Sequence, residues 1–315
     1  MTKKNFSPGK GADRTFKGIA LSGMTGILWG LTTPATKLLA REGVSISLAV
    51  LIRMLMVSLI LWVWLRLCHP HQLKITRRDL KRIFWFSLLG PTGLYLGFML
   101  SVEYLEAASA LVLHYTYPIV TVLCSSPVTG ERPTKWDFAG ACLVALGVVC
   151  SVMTPQWTFN THIDVRGVLW GIAAVAGIVG QTLLVRASST RGSTVTGWGF
   201  FFYTHLCGIF WTTLYIVASG EWRNFSAVTP YAGVLIFVPA FFGCLVGYSL
   251  YFKSLECVPA SVSSLMASVE ILSAVGLTAW ATKAVPSLPE LVGCAFIFSA
   301  IALVSLKHLG KGAGN

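Results

Sequence analysis

Charge is scarce in this chain. Asp, Glu, Lys and Arg make up 11% of its 315 residues, against about 25% in a soluble domain. Acids are the scarcer sign, 12 against 24 Lys and Arg, for a formal net charge of +12. No polar stretch is long enough to fold as a separate soluble domain. Catalytic signatures are also missing: there is no H-E-x-x-H, no G-x-S-x-G and no Walker A loop. The sequence therefore points to no enzyme and no cofactor. Its 8 cysteines include no C-x-x-C pair, which argues against a disulfide framework or a thiolate metal site and leaves them as small buried hydrophobes. His69-Pro70-His71 lies in a polar loop without thiol or carboxylate support, so no metal is expected there. The basic excess does not read as a nucleic-acid surface. Lys and Arg cluster in short segments between apolar runs, a pattern that sets membrane topology.

What is abundant is apolar sequence. Hydrophobic residues make up 55% of the chain and mean hydropathy is +0.71, so lipid bilayer is the expected solvent. A spanning helix needs about 20 mostly apolar residues. Ten stretches qualify: 18–40, 44–67, 82–104, 107–128, 134–153, 166–187, 195–218, 230–253, 259–282 and 288–307. The first follows a basic segment, as a signal peptide does. It runs on to Ala40, past the 7–15 apolar residues of such a peptide, and reads as an uncleaved first span. With the N-terminus inside, 18 basic residues fall in inner segments; Lys37, Arg41, Arg166, Arg223 and Lys283 lie outside or near that edge. That asymmetry predicts both termini in the cytoplasm. Asn224-Phe225-Ser226 is a glycosylation sequon that matters only in a eukaryotic secretory membrane.

The apolar sequence repeats itself. Gly93, Gly97, Leu100, Leu105 and Glu106 recur 150 positions on as Gly243, Gly247, Leu250, Leu255 and Glu256. Ala107 and Gly140 return as Ala260 and Gly293 at offset 153. Five helices per half is an odd number, so the second half must enter the membrane inverted. The expected fold is an all-α polytopic membrane protein of ten transmembrane helices in two inverted five-helix repeats. The segments are a basic N-terminus (1–17), a first repeat (18–153), an external linker (154–165), a second repeat (166–307) and a cytoplasmic tail (308–315).

These residues resemble the EamA-type family of the drug/metabolite transporter superfamily. The resemblance runs over about residues 18–307. It rests on Leu28-Trp29-Gly30, Arg53, Ala108 to Pro118, Gly130-Glu131-Arg132-Pro133, Gly140 and Gly147, then on Gly243 to Leu255, Ala260-Ser261, Ser264-Leu265 and Glu270. It implies a central substrate path between two repeats and export or exchange of small metabolites. Two places depart from the family pattern. Ile271 follows Glu270 where a proline is common, and Thr282-Lys283 stands where Gly-Glu often recurs.

Polar residues inside apolar spans are the site candidates, because a charge at mid-bilayer costs roughly 2.5–3.5 kcal/mol on insertion scales. Glu270 reads as a proton-coupling or amine-binding carboxylate, or as a buried structural one. Its partner at offset 153 is Tyr117. His114, Tyr117 and Thr121 form one polar stripe at helical spacing, and a histidine there can bind substrate or titrate. Arg53 can hold a substrate carboxylate in a bidentate pair or serve a structural ion pair. Tyr203, its counterpart at offset 150, and His205 lie mid-span. Gln181 suits an interhelical hydrogen bond or a ligand contact. Trp29 and Tyr248 suit packing or an apolar cavity wall. Glu131 and Arg132 read as an ion pair within one turn. G-x-x-x-G pairs at Gly93/Gly97 and Gly243/Gly247 let helices approach closely, and Pro91 and Pro239 just before them are expected to kink both helices.

The functional expectation is a secondary active transporter of a bacterial inner membrane, multi-pass, monomeric or homodimeric. It would export a small amphipathic metabolite such as an amino acid or amine, with protons as the drive. Two alternatives stand beside it. One is a carrier of nucleotide-like or sugar-like solutes, in uptake or by facilitated diffusion. The other is a non-transporting membrane enzyme or scaffold.

Overall fold

The computed structural model describes residues 8–32, 35, 38–39, 42–105, 107–158, 164–191, 197–222, 228–283 and 285–313. Lys37, Arg41, Glu106, Arg223 and the sequon at 224–226 lie outside them. Every regular element among the described residues is helical. In chain order, apart from a short 3-10 helix at Pro70–Leu73, these are α1 (Pro8–Gly30), α2 (Ile46–Cys68), α3 (Arg77–Tyr104), α4 (Ala107–His114 continued by Tyr117–Thr129), α5 (Lys135–Ser151), α6 (Val165–Arg191), α7 (Trp198–Ser219), α8 (Pro230–Cys257), α9 (Ala260–Ala267 continued by Val269–Thr282) and α10 (Leu288–Ala313).

Among the described residues, eight segments are long and apolar enough to cross a bilayer, one in each of α2–α4 and α6–α10. α5 is a helix of 17 residues, about 26 Å long at 1.5 Å per residue. α1 begins at Pro8, well before the apolar run at 18–40, because the basic N-terminal segment continues the same helix. Large apolar side chains point away from the protein, among them Leu59, Leu67, Leu169, Trp280 and Phe298. Such a surface is suited to lipid rather than water.

Local chemistry sets the helix ends. The Ser45 hydroxyl accepts from the Leu48 amide at the start of α2. Thr134 and Asp137 form a capping box at the start of α5: the Thr134 amide donates to Asp137 over 2.7 Å, and the Asp137 amide to Thr134 over 3.3 Å. The buried Asp137 carboxylate also takes His308 Nε2 at 2.8 Å, which ties α10 to α5. Gly130 ends α4 at φ +76°, a left-handed conformation that glycine adopts without strain.

Small residues bring the helices together, as expected where lipid removes the hydrophobic drive between them. A methyl group added at Gly97 would come within 2.8 Å of the Trp170 carbonyl of α6. One at Gly243 would meet Thr32 at 2.8 Å, and one at Gly247 the Trp29 ring nitrogen at 2.9 Å. The glycine pair of α3 thus packs on α6, and the pair of α8 on α1. Both α3 and α8 turn through a π-helical stretch at matching places, Leu88–Gly93 with Pro91 inside and Pro239–Gly247 with Pro239 leading. Gly90 leaves helical geometry there, at ψ −105°.

Two further helices are interrupted. α4 breaks at Tyr115-Thr116 and α9 at Ser268, positions 153 apart for Tyr115 and Ser268. The break in α9 needs no proline: Ile271 stands where the family often has one, and Ser268 still turns out of the helix at ψ −8°.

Candidate functional site

The kinks and breaks converge on a cavity of about 80 Å³ among α1, α2, α3, α4, α6, α8 and α9. Its walls are mostly rings and aliphatic groups. Trp29 is held by its indole N–H, which donates to the Gly243 carbonyl at 3.0 Å. The Trp29 ring lies 4.8 Å from that of Tyr248, and Tyr248 meets Tyr95 edge-on at 5.9 Å. Among the polar groups that share the space are Arg53 from α2, His114 from the break in α4, and Glu270 just past the break in α9.

Arg53 has no carboxylate partner among the described residues. Its guanidinium lies 4.3 Å above the Tyr95 ring, a cation–π contact that holds the charge without consuming its N–H groups. Its Nε and Nη2 are buried and donate to nothing. No acid stands within 4 Å of it among the described residues. A second cavity of about 40 Å³ adjoins the first and shares Arg53, Met99 and Pro239 with it. It extends towards Val44 and Ile46 at the start of α2.

The Tyr115 hydroxyl stands beside Glu270. His114 is held by its rings, 4.5 Å from Phe98 and 5.7 Å from Tyr117, while its Nδ1 is buried without a partner. Tyr117 does not line the cavity. Its hydroxyl donates to the Ser264 carbonyl at 3.3 Å, joining α4 to α9. Gln181 sits one turn beyond the cavity-lining Ile178, fully enclosed, with neither end of its amide paired. Tyr203 is remote from the site; its hydroxyl donates to the Leu73 carbonyl at 2.8 Å. His205 stands behind the wall. Its Nδ1 meets the Phe201 carbonyl at 2.9 Å and its Nε2 the Cys244 sulfur at 3.4 Å.

Glu131 does not pair with Arg132. Arg186 of α6 reaches it instead, with Nε 2.9 Å from the carboxylate, and also donates to the Leu255 carbonyl at 2.6 Å. The Glu131 side chain follows a left-handed glycine that turns it back over the bundle, so a partner from another helix replaces its chain neighbour. This ion pair ties the ends of α4, α6 and α8 together. Between it and the cavity, Thr182 bonds Tyr251 at 3.1 Å and Ser254 bonds Ser263 at 2.7 Å.

A family model described as the EamA-like transporter family matches residues 16–153 and again residues 165–306. The chain belongs to the EamA-like transporter family. This EamA chain is 26% identical over 300 residues to a Salmonella typhimurium protein named "Uncharacterized inner membrane transporter YicL". The match covers 93% of this chain and 96% of that protein. A solved structure described only as "Crystal structure of protein" superposes with a TM-score of 0.74 at 18% identity. It covers 92% of this chain and 96% of the other, and shows the fold alone. The family, the relative's inner-membrane setting and the eight apolar helices make this EamA transporter a multi-pass inner-membrane protein.

Tyr95, Tyr115 and Cys244 escape a reading of the sequence, although each is flagged by position. Tyr95 lies between Gly93 and Gly97, Cys244 follows Gly243, and Tyr115 follows His114. Tyrosine and cysteine are ordinary residues in apolar helices, so only the geometry singles them out.

Proposed function

We propose that this protein is a secondary active transporter that exports a small amphipathic metabolite, an amino acid or related amine, by alternating access coupled to protons. The central cavity is the substrate site. One observation carries the reading: Arg53, with two buried and unpartnered N–H groups, lines the same cavity as Glu270. Unpaired buried donors are costly, and a substrate carboxylate would satisfy them. Glu270 would take the substrate amine or the coupling proton, and the rings of Trp29, Tyr95 and Tyr248 would face its apolar body.

In this reading α1 and α5 also span the bilayer, giving ten spans as two inverted repeats with both termini in the cytoplasm. The paired kinks in α3 and α8 and the paired breaks in α4 and α9 support it, since discontinuous helices at a repeat interface characterise carrier sites. The Glu131–Arg186 pair then lies at the cytoplasmic end, and the second cavity leads outward.

The test is flux of a mixed metabolite pool from proteoliposomes, with and without an imposed pH gradient, for wild type and Glu270→Gln. Gradient-driven flux that Glu270→Gln abolishes is expected. Flux indifferent to both the gradient and the substitution would replace this reading with facilitated diffusion.

A further inference from the structure

Cys244 is the one sulfhydryl among the cavity-lining residues, and its surroundings fix where its proton goes. The Phe201 carbonyl can only accept, so the His205 nitrogen 2.9 Å away carries the hydrogen. In the neutral ring the other nitrogen, Nε2, is then an acceptor. The thiol 3.4 Å from it is the donor. The sulfur's lone pairs remain for the Tyr95 hydroxyl, which donates at 3.1 Å. The chain of bonds runs Tyr95 to Cys244 to His205 to Phe201, across α3, α8 and α7. Arg53 lies on the face of the same Tyr95 ring and adds positive charge beside the sulfur.

A second feature of the cavity calls for a ligand independently of the thiol. His114 is 8% exposed, lines the same space and leaves Nδ1 unpartnered.

We propose that Cys244 and His205 form a covalent site on the cavity wall for small anionic sulfur electrophiles, of the thiosulfonate or activated-disulfide class. Thiolate is the attacking form, and with the thiol 2% exposed it forms only as His205 takes the proton. In the step, the Cys244 proton passes to His205 Nε2 and the sulfur attacks the sulfenyl sulfur of the reagent. One sulfur–sulfur bond forms as the reagent's own breaks, and the sulfinate of a thiosulfonate, or the thiolate of an activated disulfide, leaves with the bonding electrons. The mixed disulfide fills the cavity beside Arg53 and blocks carriage. The preference for an anion rests on the free guanidinium invoked under the proposed function; the covalent step does not.

The test uses the full chain in proteoliposomes, exposed on both faces to sulfonatoethyl methanethiosulfonate or its trimethylammonium counterpart. The extent of modification at each cysteine is read by peptide mass spectrometry. Exposed Cys68 reports that the reagent is active, and Cys207, buried as Cys244 is, reports non-specific penetration. We expect Cys244 to react at least about tenfold faster than Cys207, and faster with the anionic reagent than with the cationic one. His205→Asn should slow Cys244 by about tenfold while leaving Cys68 unchanged. His205→Gln serves as a second variant if the first does not fold, and the comparison of reagents needs no variant. Unmodified Cys244 beside fully modified Cys68, or a Cys244 rate indifferent to His205, would overturn the covalent site alone. Equal rates for the two reagents, with the dependence on His205 intact, would overturn the anion-reading role of Arg53 and the substrate reading that depends on it.

Discussion

Arg53 is the residue on which the site turns. A hydrogen bond to a charged group is worth about 1.5–3 kcal/mol, so Arg53→Gln should raise the half-saturation concentration of a carboxylate-bearing substrate roughly ten- to hundredfold. Arg53→Lys keeps the charge without the planar fork and should fall between, as initial-rate flux will show. Gln181 offers a contrast in which stability and transport separate. Both ends of its buried amide are unpaired, and an apolar side chain of similar shape can replace such a group at little or no loss. Gln181→Met should leave the melting temperature in detergent unchanged or raised, yet reduce flux, because the amide lies where the path would wet on opening. A lower melting temperature would show instead that the amide is satisfied within the fold. The ionic residues of the site were legible in sequence because charge in an apolar run is expensive and conspicuous. Tyr203 misled for a geometric reason. α2 starts at Ile46 and α7 at Trp198, an offset of 152, so His205 and not Tyr203 matches Arg53. A two-residue slip rotates a helical position by about 200°.

Helices carry the next set of constraints. The close approach of α3 to α6 depends on Gly97, where an added methyl would press on a backbone carbonyl that cannot yield. Gly97→Val should therefore destabilise by about 1–3 kcal/mol, seen as earlier thermal unfolding in detergent. Gly276→Ala, with nothing within 4 Å of the added atom, should be neutral or slightly stabilising through helix propensity alone. Equal losses at the two positions would show that close packing is not what Gly97 provides. The glycine pairs and the prolines that kink α3 and α8 could be read from sequence, because both features announce themselves chemically. The break in α9 could not, since Ser268 is a tolerated helix residue and only the path of the backbone reveals the turn. α1 extends further towards the N-terminus than the apolar pattern suggests, because lysine and arginine are good helix formers.

At the scale of the whole molecule, the ends of the bundle differ. Arg186 closes one end by binding both Glu131 and the last turn of α8. The counterpart of Glu131 at offset 152 is Lys283, and an acid at the other end, Glu221, accepts from the Ser45 hydroxyl at 2.6 Å and has no basic partner among the described residues. In our account the Glu131–Arg186 pair holds the cytoplasmic end shut while the cavity communicates outward. Glu131→Gln should loosen that closure and make a single cysteine placed at Ser263 react faster with a cytoplasmic thiol reagent. The exchanged pair Glu131→Arg with Arg186→Glu should slow it again. Unchanged labelling in Glu131→Gln would remove the pair from any gating role. The pairing across helices was beyond sequence reading, because it depends on the turn at Gly130 and not on spacing along the chain.

The most direct test of the central cavity as the substrate site is efflux of a mixed metabolite pool from proteoliposomes, identified by mass spectrometry for wild type, Arg53→Gln and Glu270→Gln. The account predicts that the compounds leaving wild-type vesicles carry both a carboxylate and an amine, that Arg53→Gln slows their efflux severalfold or more, and that Glu270→Gln abolishes it. The same compounds leaving at wild-type rates from both variants would contradict it.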